Sequence, residues 1–333
     1  MGKFKIKPIR IVLAVLFILA CAAVVFCVRF HNYFAFGRSV DMGLIQTRKV
    51  YGEMTSEKEW MFSLIRAAER EDWDKLAQLT KKDHHSQIGT YYHNLAMAKK
   101  GQLSQELMNY YQPLAEGLLM PIQYGSRPLF VSCAGEVWYQ LGEVIMAEHS
   151  TMLGMAFTAT QSGKRYYRRL AQIAHINGDT SAIKKYERLL GGPIDDSWKK
   201  LLPYVPKTDT VFLAGQNRLL LRNLLESNPD NTMAYEYLLC YDLLRKDIGS
   251  FIEDYIPGKV SARLYDEALM IYLAGDGLLS DTMVKKYGIN KQVYSSFRSY
   301  CDAFMVSNAN KQRMKSRYGN TYWFYFHFAD END

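Results

Sequence analysis

The stretch VWYQLGEVIMAEHSTMLG, Val137 to Gly154, decides the fold. It opens on Trp138-x-x-Leu141-Gly142, and Gly154 stands 16 places after Trp138. The same interval separates Tyr166 from Ala182, Trp60 from Leu76 and Tyr235 from Phe251, and Tyr92-x-x-Leu95-Ala96 is a fainter instance. A bulky residue on one helix fills space against its neighbour, and a small residue on the next lets two backbones approach. The spacing predicts helical hairpins in which Trp138 faces Gly154.

Short breaks separate these stretches. Gly101, Tyr124-Gly125-Ser126-Arg127-Pro128, Asn177-Gly178-Asp179, Gly191-Gly192-Pro193 and Asn228-Pro229-Asp230-Asn231 punctuate the chain at lengths that suit antiparallel hairpins. No β alternation stands out between Ser56 and Asn308. Trp138 and Tyr166 are 28 residues apart, short of the ~34-residue period of a tetratricopeptide unit. The expected fold is therefore all-α: a degenerate tetratricopeptide-like helical-hairpin repeat solenoid with one N-terminal transmembrane helix.

That helix is read from Ile11 to Val28, 18 residues without a charge. At ~1.5 Å per residue it spans ~27 Å, close to the hydrocarbon core of a bilayer. Residues 1–10 form a basic cytoplasmic tail, 29–54 a stalk, 55–256 the repeats and 257–333 a C-terminal helical region that closes the solenoid. A cleaved signal peptide has a shorter apolar core; cleavage near Ala20-Cys21-Ala22 would leave AVVFCVRF exposed. Ile18-Leu19-Ala20-Cys21 loosely resembles a lipobox, which leaves a lipidated surface protein as the alternative. Lys3, Lys5, Lys7 and Arg10 outnumber Arg29, Arg38 and Arg48 across the span. This bias places the N-terminus in the cytoplasm and the body outside, in the periplasm if the membrane is an inner membrane.

Formal net charge is +7, and the basic tail supplies four of those charges. What is left is too little for a nucleic-acid surface. Five cysteines form no C-x-x-C pair; Cys21 and Cys27 lie in the apolar N-terminal run, and Cys133, Cys240 and Cys301 read as small buried apolar residues. Ser56 and Glu59 stand at capping-box spacing before the apolar face Trp60, Leu64, Ile65 and Ala68.

Tyr166–Leu190 (YYRRLAQIAHINGDTSAIKKYERLL), Met233–Asp247 (MAYEYLLCYDLLRKD) and Tyr318–Phe328 (YGNTYWFYFHF) resemble an uncharacterised bacterial family. The resemblance runs over about residues 56–328 and implies membrane-spanning segments followed by a tetratricopeptide-like soluble region. Its members tend to carry several spans where this chain shows one. The family brings no known catalytic residues, so none is carried over.

Asp83-His84-His85 lacks the parallel strands and further aspartates of a metal phosphoesterase, and reads as an inter-helix loop. Ser162-Gly163-Lys164 lacks the upstream glycine of a phosphate loop. No catalytic, cofactor-binding or metal-binding residue is assigned, and no cofactor is expected. The 24 tyrosines are the more informative feature. On a concave solenoid face, aromatics beside Lys99, Arg165, Arg168 and Arg169 would hold a peptide or a glycan. Tyr92, Lys99, Tyr166, Arg169 and Tyr235 are the candidate partner-groove residues. The expected function is a membrane-anchored scaffold for a protein or peptide, without catalysis; the alternative is a glycan-binding surface lipoprotein. The aromatic tail Tyr322–Phe328 is expected to pack as a closing helix with Trp323 buried and Glu331–Asp333 frayed, following a helix that ends at Gly319.

Overall fold

The computed structural model describes residues 8–82, 85–206 and 215–330, which contain helices and turns and no strand. The first helix, α1 (Pro8–Arg29), stands clear of the body. Its Val12–Arg29 window has a mean hydropathy of 2.8 and none of it is buried, so it is long and apolar enough to cross a membrane or to be a signal sequence.

Residues 29–54 are not a stalk. They form α2 (His31–Ser39) and α3 (Leu44–Tyr51), and Tyr33, Phe36, Val40, Met42 and Tyr51 are core residues. Five large apolar side chains in this segment cannot stay in water when a face is offered to them. That face is α4 (Ser56–Glu69), where Phe62 stacks on Phe36 with centroids 4.2 Å apart. The expected capping box is also replaced. Thr55 caps α4, accepting from Lys58 N, while Glu59 reaches across to the start of α2. There it accepts from Asn32 N at 2.9 Å, Asn32 Nδ2 at 2.8 Å and Tyr33 N at 2.8 Å. A carboxylate on otherwise unpaired N-terminal amides satisfies both the donors and the helix dipole.

Next come α5 (Trp73–Thr80), α6 (Gln87–Lys99) and α7 (Leu103–Glu106). Helices α4 to α7 stack in chain order, and α4 also touches α2 and α6. After them come α8 (Pro128–Leu141), α9 (Val144–Ala156), α10 (Lys164–Asn177) and α11 (Thr180–Leu190). A third run comprises α12 (Asn217–Ser227), α13 (Thr232–Leu244), α14 (Ile248–Asp254) and α15 (Arg263–Gly275). The chain ends in α16 (Asp281–Lys286), α17 (Lys291–Val306), α18 (Lys311–Tyr318) and α19 (Tyr322–Phe328).

Chain order and stacking order part company after α7. Helix α6 touches both α8 and α13, and α15 returns to α7, so two branches leave a common base. One is α8–α11 and the other α12–α19. Asn231 ties them: its Oδ1 caps α13 at Ala234 N, and its Nδ2 donates to Leu141 O at the end of α8, 2.9 Å away.

Three hairpins share one closure. Tyr33 Oη donates to Gly52 O, Trp60 Nε1 to Leu79 O and Tyr235 Oη to Asp254 O, each 19 residues on, at 2.6, 2.9 and 3.1 Å. The aromatic early in the first helix thus fastens the end of the second. Trp138 does not follow this register, because it lies near the end of α8. Pro128 starts that helix and Gly142 stops it in the left-handed region, φ 93°, with Tyr204 O against it. From this turn Trp138 is four residues back and Gly154 twelve on, so an antiparallel pair cannot bring them together. Gly154 lies against Ser132 and Tyr166, and Gly135 against Ala147 and Ser150.

The tail packs as a closing helix. Trp323 is fully buried, its Nε1 donating to Glu267 O at 2.9 Å. Tyr322 Oη and Tyr325 Oη donate to Leu243 O and Leu244 O, the last carbonyls of α13. Gly319 is right-handed rather than a left-handed stop, and its missing Cβ makes room for Lys315 O. Glu331–Asp333 lie outside the described residues, as do Asp83 and His84. Cys133 and Cys240 are buried, whereas Cys301 is exposed.

Candidate functional site

Where α10 begins, its first turns carry Lys164, Arg165, Tyr166, Arg168 and Arg169. These side chains face the turn between α2 and α3 and the adjoining walls of α8 and α9. They enclose a cleft of about 720 Å³, also lined by Arg38, Asp41, Glu69, Ser132, Glu136 and Thr151.

Its inner wall is a set of paired charges. Arg165 Nε binds Glu69 from α4, and its Nη2 donates to Ser132 O at 2.9 Å. Arg169 Nη2 binds Glu136 of α8 at 2.7 Å, and the guanidinium carbon of Arg169 lies 3.5 Å from the centre of the Tyr139 ring. Buried charges are tolerated where partners of opposite sign satisfy them. Tyr166 Oη is 3.0 Å from Ser132 Oγ and 3.2 Å from Tyr51 Oη, which ties α10 to α8 and α3.

Four of the five sequence-selected residues meet around α8. Arg169 bonds Glu136, Gln140 Nε2 donates to Glu136 Oε1 at 3.2 Å, and Lys99 Nζ donates to Gln140 Oε1 at 3.0 Å. Tyr166 lines the cleft, and Tyr92 is fully buried beside Cys133. Tyr92 is therefore core, not groove. Tyr235 is elsewhere, buried, accepting from Ile256 N at 2.8 Å. The sequence could not separate groove tyrosines from core tyrosines, because helical spacing alone does not say which face another helix covers.

Burial pushes the Tyr139 hydroxyl up to about 12 and the Cys133 thiol up to about 11, and raises Tyr166. These groups stay neutral near pH 7; Tyr166 acts through its hydrogen bonds, and Tyr139 through its ring beneath Arg169. Burial lowers the Lys99 ammonium, with Glu71 and Glu136 opposing.

At the far end of this branch, α11 packs on α10 with no residue fully buried. Ile183, Tyr186 and Leu190 are half-covered, and Tyr186 stacks on Tyr167. The outward side carries Lys184, Lys185, Arg188 and Leu189, the last 42 % exposed.

A family model matches residues 2–192 and 194–329, under the description "Family of unknown function (DUF6057)". The chain belongs to this family. No curated protein and no solved structure matches it. The family match covers both branches, the cleft and the apolar helix α1.

Proposed function

We propose that this member of the family is a membrane-anchored, non-catalytic scaffold that docks a protein or peptide partner at the open end of the α8–α11 branch. The observation that carries this is α11. A hairpin stack leaves its last helix half-covered, and such terminal helices need a polar outer face or a partner. Here the outer face is basic around Leu189, which fits an acidic segment with one apolar anchor. The degenerate tetratricopeptide-like reading is supported by the shared closure of three hairpins.

Helix α1 serves as an uncleaved anchor in the inner membrane, with the basic N-terminal tail in the cytoplasm and the body in the periplasm. Protease added to spheroplasts should degrade the body; protection until the membrane is broken would reverse this orientation. The glycan alternative needs exposed aromatic platforms, and the burial of Tyr92, Tyr166 and Tyr235 gives it no support. For docking, Leu189→Asp and Arg188→Glu should abolish recovery of a stoichiometric partner from solubilised membranes while leaving the melting temperature unchanged. Recovery of the same partner by both variants would sink the proposal.

A further inference from the structure

We propose that the basic cleft between α2, α8 and α10 is a binding site for a phosphate group, carried by a lipid headgroup or by a soluble phosphate ester. This goes beyond partner docking on α11 and does not depend on it.

The cleft carries an excess of positive charge. The cleft is lined by Arg38, Lys164, Arg165, Arg168 and Arg169 against Asp41, Glu69 and Glu136. Glu69 and Glu136 are taken up by Arg165 and Arg169, and Asp41 accepts from Ser162 Oγ at 3.2 Å. Arg38, Lys164 and Arg168 are exposed at the rim and pair with no carboxylate among the described residues; Arg168 acts on Asp195 only through its field. Two cations are in excess, which matches a dianion rather than a single carboxylate.

That charge is concentrated at a helix start. Four of the cations sit in the first turns of α10, whose N-cap is Gly163 with no side-chain cap. A helix start already carries about half a positive charge, so added cations are disfavoured there. The same arrangement is favourable once an anion occupies the site. Asp179, on the neighbouring α11, shows the usual solution, a carboxylate capping two amides.

The cleft wall also holds an unpaired donor. Arg165 is 10 % exposed, lines the cleft, and its Nη1 is buried without a hydrogen-bond partner. An unmet guanidinium N–H is costly; Nε and Nη2 are already engaged and Nη1 is covered, so a phosphate oxygen meets Nη1 when the side chains over it move aside. The volume exceeds that of phosphate alone, and Ser132 and Thr151 on the wall offer hydroxyls to an ester's polar body. Arg38 lies nine residues after Arg29, the end of the apolar helix. Even in a straight line that is at most roughly 14 Å, a gap that headgroups extending ~5–7 Å past the hydrocarbon close only together with the long side chain of Arg38.

The test uses the full chain in phosphatidylcholine nanodiscs and reads its melting temperature. In one arm glycerol phosphate is titrated at constant ionic strength. In the other, phosphatidic acid replaces part of the lipid. A saturable rise in the first arm assigns a soluble ester; a rise only in the second assigns a headgroup. Lys164→Gln and Arg168→Gln are exposed, so they should leave unliganded melting level while together weakening binding at least about tenfold. No rise in either arm, or an equal rise in the double variant, overturns the proposal. A rise with a glutamate-rich peptide and none with either phosphate source also overturns it, in favour of a carboxylate seat.

Discussion

Replacing Glu59 with alanine should loosen the joint between α1 and the body more than any other single exposed or half-exposed change in that region. Its side chain is 14 % exposed and accepts three hydrogen bonds, two from the backbone of α2. A hydrogen bond to a charged group contributes about 1.5–3 kcal/mol, and each buried donor left unmet costs about 1–3 kcal/mol. Water enters at the His31 side, which is exposed, and this discounts the sum. The net loss is roughly 3–5 kcal/mol, or about 6–10 °C at ~2 °C per kcal/mol for a chain of this size. Glu59→Gln keeps one acceptor oxygen and should lose about half as much. Thermal melts of detergent-solubilised protein measure the first quantity, and limited proteolysis between α1 and α3 the second, since a freed α2 becomes a substrate. A Glu59→Ala variant that melts within 1 °C of wild type and resists cleavage equally would refute this view of the joint.

Gly154→Leu should cost about 1–3 kcal/mol by overpacking, because an added Cβ already meets Tyr166 and Ser132; an unchanged melt would show that α8, α9 and α10 do not meet there. Deleting everything after Gly319 removes Trp323 and the Tyr322 and Tyr325 hydrogen bonds to α13, and should give an aggregating protein by light scattering; a monomer with native melting would exclude the tail from the core. Burial raises the Asp242 carboxyl to about 7, opposed by Arg218. The native state then binds more protons than the unfolded state between about pH 4 and about pH 7, so this residue's contribution falls as pH rises through that window, by on the order of 2–4 kcal/mol. Asp242→Asn should flatten the difference in melting temperature between pH 5 and pH 8; an undiminished difference would place the titration elsewhere.

The all-helical class was legible because turn residues and apolar periodicity recur along the whole chain, and the tail because Tyr322–Phe328 is apolar nearly all round. The role of residues 29–54 was not. Tyr33, Phe36 and Tyr51 read as part of a stalk until α4 is placed against them. Glu59 fits a local capping box equally well in sequence, and only the fold shows that its acceptors are used by a helix 26 residues earlier. The 16-residue interval marked true hairpins but named the wrong facing pair. The 19-residue closure, aromatic donor to carbonyl, was the physical signal, and a backbone carbonyl leaves no trace in sequence. Arg165, Arg168 and Arg169 were visible as a basic cluster, yet their convergence with Arg38 depends on how the turn between α2 and α3 meets α10.

Photo-crosslinking from position 189 of α11 in intact membranes, with Gln292 of α17 as the control position, tests the scaffold account most directly. The account predicts one discrete adduct with a different protein from position 189 and none from position 292. An adduct only with a second copy of this chain, or no adduct from position 189 while the membrane-embedded protein remains folded, would contradict it.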